Sequence, residues 1–120
     1  MKHHSESMIP VMIEVNGRRK QTGFIIGNAY YSPRKKSKHF FRKYNGYAIS
    51  TAVLFALKES GVVDYIVIVD TENNLEHFVN LDDFVNNGIK VAGRGYGSDN
   101  QIVLPIDKFK TRRADTQWLN

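Results

Sequence analysis

The chain has 120 residues, which suits one domain with a core of its own. It contains no cysteine, so disulfides, thiolate zinc sites and a cysteine nucleophile are excluded. The net charge is +5 and is unevenly placed. Residues 1–45 carry ten basic and two acidic side chains, for a net charge of +8. Residues 46–107 carry three basic and nine acidic side chains (net −6), and residues 108–120 carry four basic and one acidic side chain (net +3). This separation predicts a positive surface that binds a polyanion.

We do not expect residues 1–7 to act as a secretory signal. Residues 1–7 lack the hydrophobic region of a secretory signal, and no apolar run approaches the roughly 20 residues of a membrane-spanning helix. We therefore expect a cytoplasmic protein without a membrane segment. The predicted organisation is a flexible segment at 1–8, one domain at 9–110 and a basic polar tail at 111–120, in which Trp118 is available to dock on the domain.

The first predicted element is a β-hairpin. Residues 9–15 are apolar and β-branched, and Asn16-Gly17 is a strong signal for a two-residue turn. The returning strand contains Phe24, continues to about Tyr31 and is expected to stop before Pro33. A basic loop follows.

Residues 47–60 predict the longest helix. Apolar side chains recur with helical spacing, and Gly61 provides a C-terminal stop. Asn45 is the expected N-cap. Because the apolar stripe is broad, we expect this helix to pack on a sheet.

The second half of the domain predicts a strand at 65–69, typical of a central position because it is a continuous β-branched run. Further elements are a turn at 71–74, a strand at 75–79, a short helix at 81–87 capped by Asn80, a loop at 92–100 and a strand at 101–106. The prediction is an α+β fold of order β-β-α-β-β-α-β, with one mainly antiparallel sheet packed on the long helix. A small α/β sheet of the kind found in nucleases is the alternative.

The strongest functional signal is the basic arm, residues 34–43, which holds six of the seventeen Lys and Arg residues and is flanked by aromatic rings. Cations contact phosphates and rings stack on bases, so this composition predicts nucleic-acid binding. The cations just past the hairpin turn are expected to contribute. One of Phe40 and Phe41 is expected in the core, and Tyr44 and Tyr47 are expected to be exposed. The predicted contact residues here are Arg18, Arg19, Lys20, Arg34, Lys35, Lys36, Lys38, His39, Arg42, Lys43, Tyr44 and Tyr47.

A glycine-rich segment, residues 93–97, is the second candidate. Alternating glycines let backbone N–H groups approach an anion, Arg94 could clamp a phosphate and Tyr96 could stack on a base. Neither common phosphate-binding motif is complete. The alternative interpretation is a plain connecting loop.

Acidic residues beside a histidine are the third candidate. If only residues 73–74 form the turn after the central strand, Asp70 faces His77; if residues 71–74 form it, Ile68 faces His77 instead. Together with Glu72, the pair could hold a metal or orient a base. No [DE]-x-K triplet of the restriction-enzyme type occurs in the chain. His39 could act as a neutral base in a small ribonuclease.

The leading hypothesis is a small non-catalytic protein that binds DNA or RNA through phosphate contacts, with no cofactor and no metal. One alternative is a metal-dependent nuclease or small ribonuclease with a site at Asp70, Glu72 or His77 beside the basic arm. The other is a protein-interaction subunit that docks an acidic partner or forms a homo-oligomer.

Overall fold

The computed structural model describes residues 8–15, 17–35, 40–92 and 100–114. Ten strands and two α-helices lie in these ranges. The strands are β1 (Ile9–Val15), β2 (Arg18–Ile26), β3 (Ala29–Arg34), β4 (Phe40–Phe41), β5 (Gly46–Ser50), β6 (Tyr65–Asp70), β7 (Leu75–Asn80), β8 (Ile89–Val91), β9 (Gln101–Pro105) and β10 (Lys110–Arg113). The helices are α1 (Thr51–Ser60) and α2 (Leu81–Asn87), and short 3-10 turns lie at Arg42–Tyr44 and Ile106–Lys108.

The strands form two sheets. The larger has the order β1-β2-β3-β6-β7-β10, and the smaller has the order β4-β5-β9-β8. In the larger sheet β3 and β6 are parallel, with Arg34 opposite Asp70 at their carboxyl ends, while the other pairs are antiparallel. The larger sheet is therefore mixed.

The main core lies on one face of the larger sheet, which we call its inner face. Ile66 and Ile68 of β6 belong to one cluster with buried side chains of both helices, such as Leu57 and Phe84, and of the smaller sheet, such as Leu104. Burying an aliphatic side chain of this size contributes about 1.5–3 kcal/mol. The alternate residues of β6 belong to a second cluster on the outer face, formed by Phe24, Ile26, Ala29, Tyr31, Val67 and Val69.

Several predicted elements are confirmed. β1 and β2 form the first hairpin, β6 occupies an interior position, and β7 and β9 match their predictions within one residue. Helix α2 begins after Asn80, whose side chain accepts a hydrogen bond from the backbone N–H of Asp82 at 2.9 Å. These elements carry local signals, namely β-branched runs, turn residues and a cap.

The predicted fold class is wrong in its architecture. One sheet packed on one long helix was expected, whereas the described residues form two sheets of six and four strands, and neither helix exceeds ten residues. The reason is a long-range pairing in which Gly46–Ser50 is antiparallel to Gln101–Pro105. This pairing creates the second sheet from a segment that was predicted as helix.

The helix predicted at 47–60 is shorter than expected. Its first residues form β5, and Ser50 rather than Asn45 is the N-cap, since its hydroxyl accepts from the backbone N–H of Ala52 at 3.1 Å. Asn45 instead has a left-handed conformation with φ 54°. The predicted stop at Gly61 is confirmed.

A second hairpin was missed. The returning strand was expected to run unbroken to Tyr31, but it turns at residues 27–28, with Ile26 opposite Ala29. Gly27 has φ 62°, a value that glycine adopts readily at the first position of a two-residue turn. The next strand continues through Pro33 to Arg34, beyond the predicted stop. At the other end of the chain, β10 places Lys110–Arg113 in the sheet, where a tail had been predicted from residue 111.

Candidate nucleic-acid interface

Strand register brings cations from distant parts of the sequence to one end of the larger sheet. Val15 pairs with Arg18 at the tip of the first hairpin, and β2 runs antiparallel to β3, so the start of β2 and the end of β3 lie at the same end. The same end contains the turn between β6 and β7. It also contains the end of β10, because Leu75 pairs with Arg113.

We call this region the basic end and define it by five exposed cations. They come from three strands or their immediate continuations, β2, β3 and β10: Arg18, Arg19, Lys20, Lys35 and Arg113. The exposed side chains of Glu14 and Glu72 also lie at this end. The cations at the tip of the first hairpin and the start of the basic arm therefore lie at the same end of the larger sheet.

The rest of the basic arm divides into two groups. Lys36, Lys38 and His39 lie outside the described residues. Arg42 and Lys43 are exposed in the 3-10 turn that precedes β5 of the smaller sheet.

The rings of the basic arm differ from the predicted arrangement. Tyr47 is fully buried, so the expectation that it is exposed is wrong. Its ring stacks on His77 at 5.6 Å between centroids and contacts the edge of Phe40 at 5.2 Å. Tyr44 is half-buried, with the Nζ of Lys43 5.5 Å from its ring centroid. The ring of Tyr47 cannot stack on a base, because the core already covers it.

Arg34 is also partly buried rather than freely exposed. Its Nε donates to the hydroxyl of Ser32 at 2.9 Å, and one Nη donates to the backbone carbonyl of Ala48 at 2.8 Å. These bonds join the end of β3 to β5 of the other sheet. Among the described residues, no carboxylate lies within salt-bridge distance of this guanidinium. Burial lowers the pKa of Arg34, and the nearby Tyr30 and Tyr47 act in the opposite direction.

The register left open by the sequence is decided by a four-residue turn at 71–74. Ile68 pairs with His77, and Asp70 pairs with Leu75, so Asp70 and His77 do not face each other. Asp70 instead accepts hydrogen bonds from the backbone N–H groups of Glu72 and Asn73, at 3.1 and 3.2 Å, and from the Asn73 side chain at 3.0 Å. Asp70 therefore closes its own turn.

His77 has a structural partner as well. Its Nδ1 lies 2.7 Å from the hydroxyl of Thr111 on β10. Within the described ranges, no three His, Asp or Glu side chains form a group that could hold a metal ion.

The glycine-rich candidate, including Arg94 and Tyr96, lies outside the described residues, as does Trp118. The flanking residues are described: Ala92 and Asn100 line a cleft of about 400 Å³ together with Thr51 and Lys90. The backbone carbonyl of Asn100 accepts from both the N–H and the hydroxyl of Thr51, at 2.9 and 3.1 Å.

Sequence reasoning missed an ion pair at the edge of the larger sheet. Glu76 is 1% exposed, and its carboxylate accepts from the Nε of Arg112 at 2.7 Å. The guanidinium also lies 4.6 Å from the ring centroid of Phe78. The two residues face each other across β7 and β10. Residues 110–113 lack the alternation of apolar and polar side chains that would have predicted a strand there.

Neither helix of the described chain is long and apolar enough to cross a membrane. Comparison of the chain with protein-family models, with curated proteins and with solved structures gave no match. The candidate interface is therefore defined by the geometry and charge of this chain alone.

Proposed function

We propose that the protein is a small, non-catalytic, cytoplasmic accessory protein that binds DNA or RNA at the basic end. The observation that supports this most strongly is the convergence of five exposed cations on one end of the larger sheet. These residues are separated by up to 95 positions in the sequence, from Arg18 to Arg113, so their proximity is a property of the fold.

The basic end has dimensions that suit a nucleic-acid backbone. Four strand-to-strand steps separate β2 from β10, and at about 4.8 Å per step the span is about 19 Å. A duplex carries a phosphate every 3.4 Å or so along each strand, so several phosphates would fall within this width.

Contacts of this kind are made with phosphate and not with base edges, so the proposed binding has low sequence specificity. Of the described tyrosines that were predicted to contact nucleic acid, Tyr44 is the one available for base stacking, because Tyr47 is buried. Tyr44 lies in the 3-10 turn of the smaller sheet, and the basic end carries the main electrostatic contribution.

The direct test is a titration of a fluorescent duplex and a fluorescent single strand, starting at about 50 mM salt. Five phosphate contacts predict a slope of log affinity against log salt of about −4.5 for duplex DNA and about −3.5 for a single strand. Failure of both ligands to bind at the lowest salt would contradict the proposal.

The same samples separate the alternative functions. Loss of the intact strand with time, with or without Mg²⁺, would indicate the nuclease or ribonuclease alternative. Binding to an acidic protein with no binding to either nucleic acid would indicate the protein-interaction alternative.

A further inference from the structure

Two groups, Arg34 at the end of β3 and Tyr47 in the main core, lack the partners that buried polar groups usually have. Tyr47 is 0% exposed, and its hydroxyl has no hydrogen-bond partner among the described residues. The guanidinium of Arg34 donates from Nε and one Nη to neutral oxygens only. An arginine carries five N–H donors, so further donors of Arg34 have no acceptor among the described residues.

The buried carboxylate near this site does not neutralise Arg34. Asp70 lies opposite Arg34 in the parallel pair, but both of its oxygens accept hydrogen bonds from the turn at residues 71–73. The carboxylate is therefore satisfied by N–H donors of its own turn. Among the described residues, the positive charge of the partly buried Arg34 has no comparable compensation, although a charge withdrawn from water is normally paired.

The hydroxyl of Tyr47 is suited to donate to an anion at neutral pH. The pKa of Tyr47 is raised to about 12, mainly by burial and also by Asp70 and Glu72, while Arg34 acts in the opposite direction. The hydroxyl therefore stays protonated. The guanidinium of Arg34 lies beside the strand that carries Tyr47, because one Nη donates to the backbone carbonyl of Ala48, the next residue.

We propose that Arg34 and Tyr47 bind the terminal phosphate of a nucleic acid strand, with the guanidinium and the tyrosine hydroxyl as donors to its oxygens. This inference rests on the proposed function. A phosphate monoester is favoured over an internal phosphodiester because it carries a sugar on one side only, which suits a donor as buried as the hydroxyl of Tyr47. Entry would be from the side of Arg34, which is partly exposed at the basic end.

The negative side chains of Asp70 and Glu72 oppose an anion in this position. Three hydrogen bonds to the carboxylate of Asp70 reduce its repulsion of a bound anion. The side chain of Glu72 is exposed, so solvent and salt screen its repulsion. Exposed cations nearby, such as Lys35, would contact the phosphates that follow the terminal one.

The site can be tested without nucleic acid by measuring Tm with and without inorganic phosphate. In the wild-type protein, phosphate is expected to raise Tm, since a ligand that binds only the folded state stabilises it. Tyr47→Phe removes an unsatisfied hydroxyl, so it is expected to leave Tm without phosphate equal or higher, while abolishing most of the rise. The control is Tyr65→Phe, because Tyr65 is 43% exposed. In this variant phosphate is expected to raise Tm as much as in the wild type. A Tyr47→Phe protein that responds to phosphate as the wild type does would overturn the site.

The second arm uses one oligonucleotide in three forms: 5′-phosphorylated, 3′-phosphorylated and with hydroxyls at both ends. We expect one phosphorylated form to bind at least about tenfold more tightly than the hydroxyl form, as one charge-assisted hydrogen-bond pair can provide. Tyr47→Phe should remove this difference. Equal affinities of all three forms for the wild type would overturn the terminal-phosphate site and leave binding at the basic end intact. Binding of none of them would overturn both proposals.

Discussion

Replacing Gly46 with alanine is expected to lower the stability of the protein by about 3 kcal/mol or more, because β5 and β9 lie too close for a side chain at this position. A Cβ atom on Gly46 would overlap the backbone carbonyl oxygen of Leu104 and would lie 2.7 Å from its carbonyl carbon and 2.8 Å from the Cα of Pro105. These are backbone atoms of the paired strand, so relief requires the strands to separate. Thermal unfolding should show a fall in Tm of about 10–20 °C.

Gly61→Ala is the matched control. Gly61 has φ 72° at the end of α1, but no atom lies within 4 Å of the position of its Cβ. Alanine at this position is therefore expected to lower the free energy of unfolding by about 1 kcal/mol, because only its left-handed conformation is unfavourable. Equal losses of stability in the two variants would show that β5 and β9 are not paired as described.

The largest effect on binding is expected from the tip of the first hairpin. A triple variant, Arg18→Gln, Arg19→Gln and Lys20→Gln, removes three of the five cations that define the basic end. We expect affinity for duplex DNA at about 50 mM salt to fall by about 100- to 1,000-fold, and the salt slope to fall from about −4.5 to about −1.8. The substituted side chains are exposed, so the fold should be unaffected.

A second triple variant separates local from overall charge. Lys58→Gln, Lys90→Gln and Lys108→Gln change the net charge equally, but these residues lie in α1, in β8 and in the turn before β10. Lys58 is in an exposed salt bridge with Asp82 that contributes little to stability. This variant should bind nearly as tightly as the wild type. Comparable losses in both variants would indicate that net charge alone drives binding.

The sequence predicts elements whose signals are local. The first hairpin, the strand at Tyr65–Asp70 and the helix after Asn80 follow from β-branched runs, turn residues and a cap within a few positions. By contrast, residues 47–50 were predicted as helix because their apolar side chains continue the helical spacing of Thr51–Ser60. Pairing with β9, more than 50 residues later, determines the strand, and no local pattern reports it.

For the candidate site as well, the sequence predicts local features but not the contacts between distant strands. Composition located the cations of the hairpin and of the basic arm, but the presence of Arg113 beside them depends on the register of β7 with β10. Burial of Tyr47 depends on contacts with His77 of β7 and with Phe109, the residue before β10. The separation of Asp70 from His77 depends on the length of one turn, in which Asn74 adopts φ 55°.

The most direct test of the basic end is a ¹H–¹⁵N NMR titration of the full chain with a short oligonucleotide. If nucleic acid binds at the basic end, the first amide signals to shift will belong to residues 17–20, to Lys35 and to residues 112–113, which the sheet brings together. Shifts confined to α1, α2 and β8, with those signals unchanged at saturation, would contradict it.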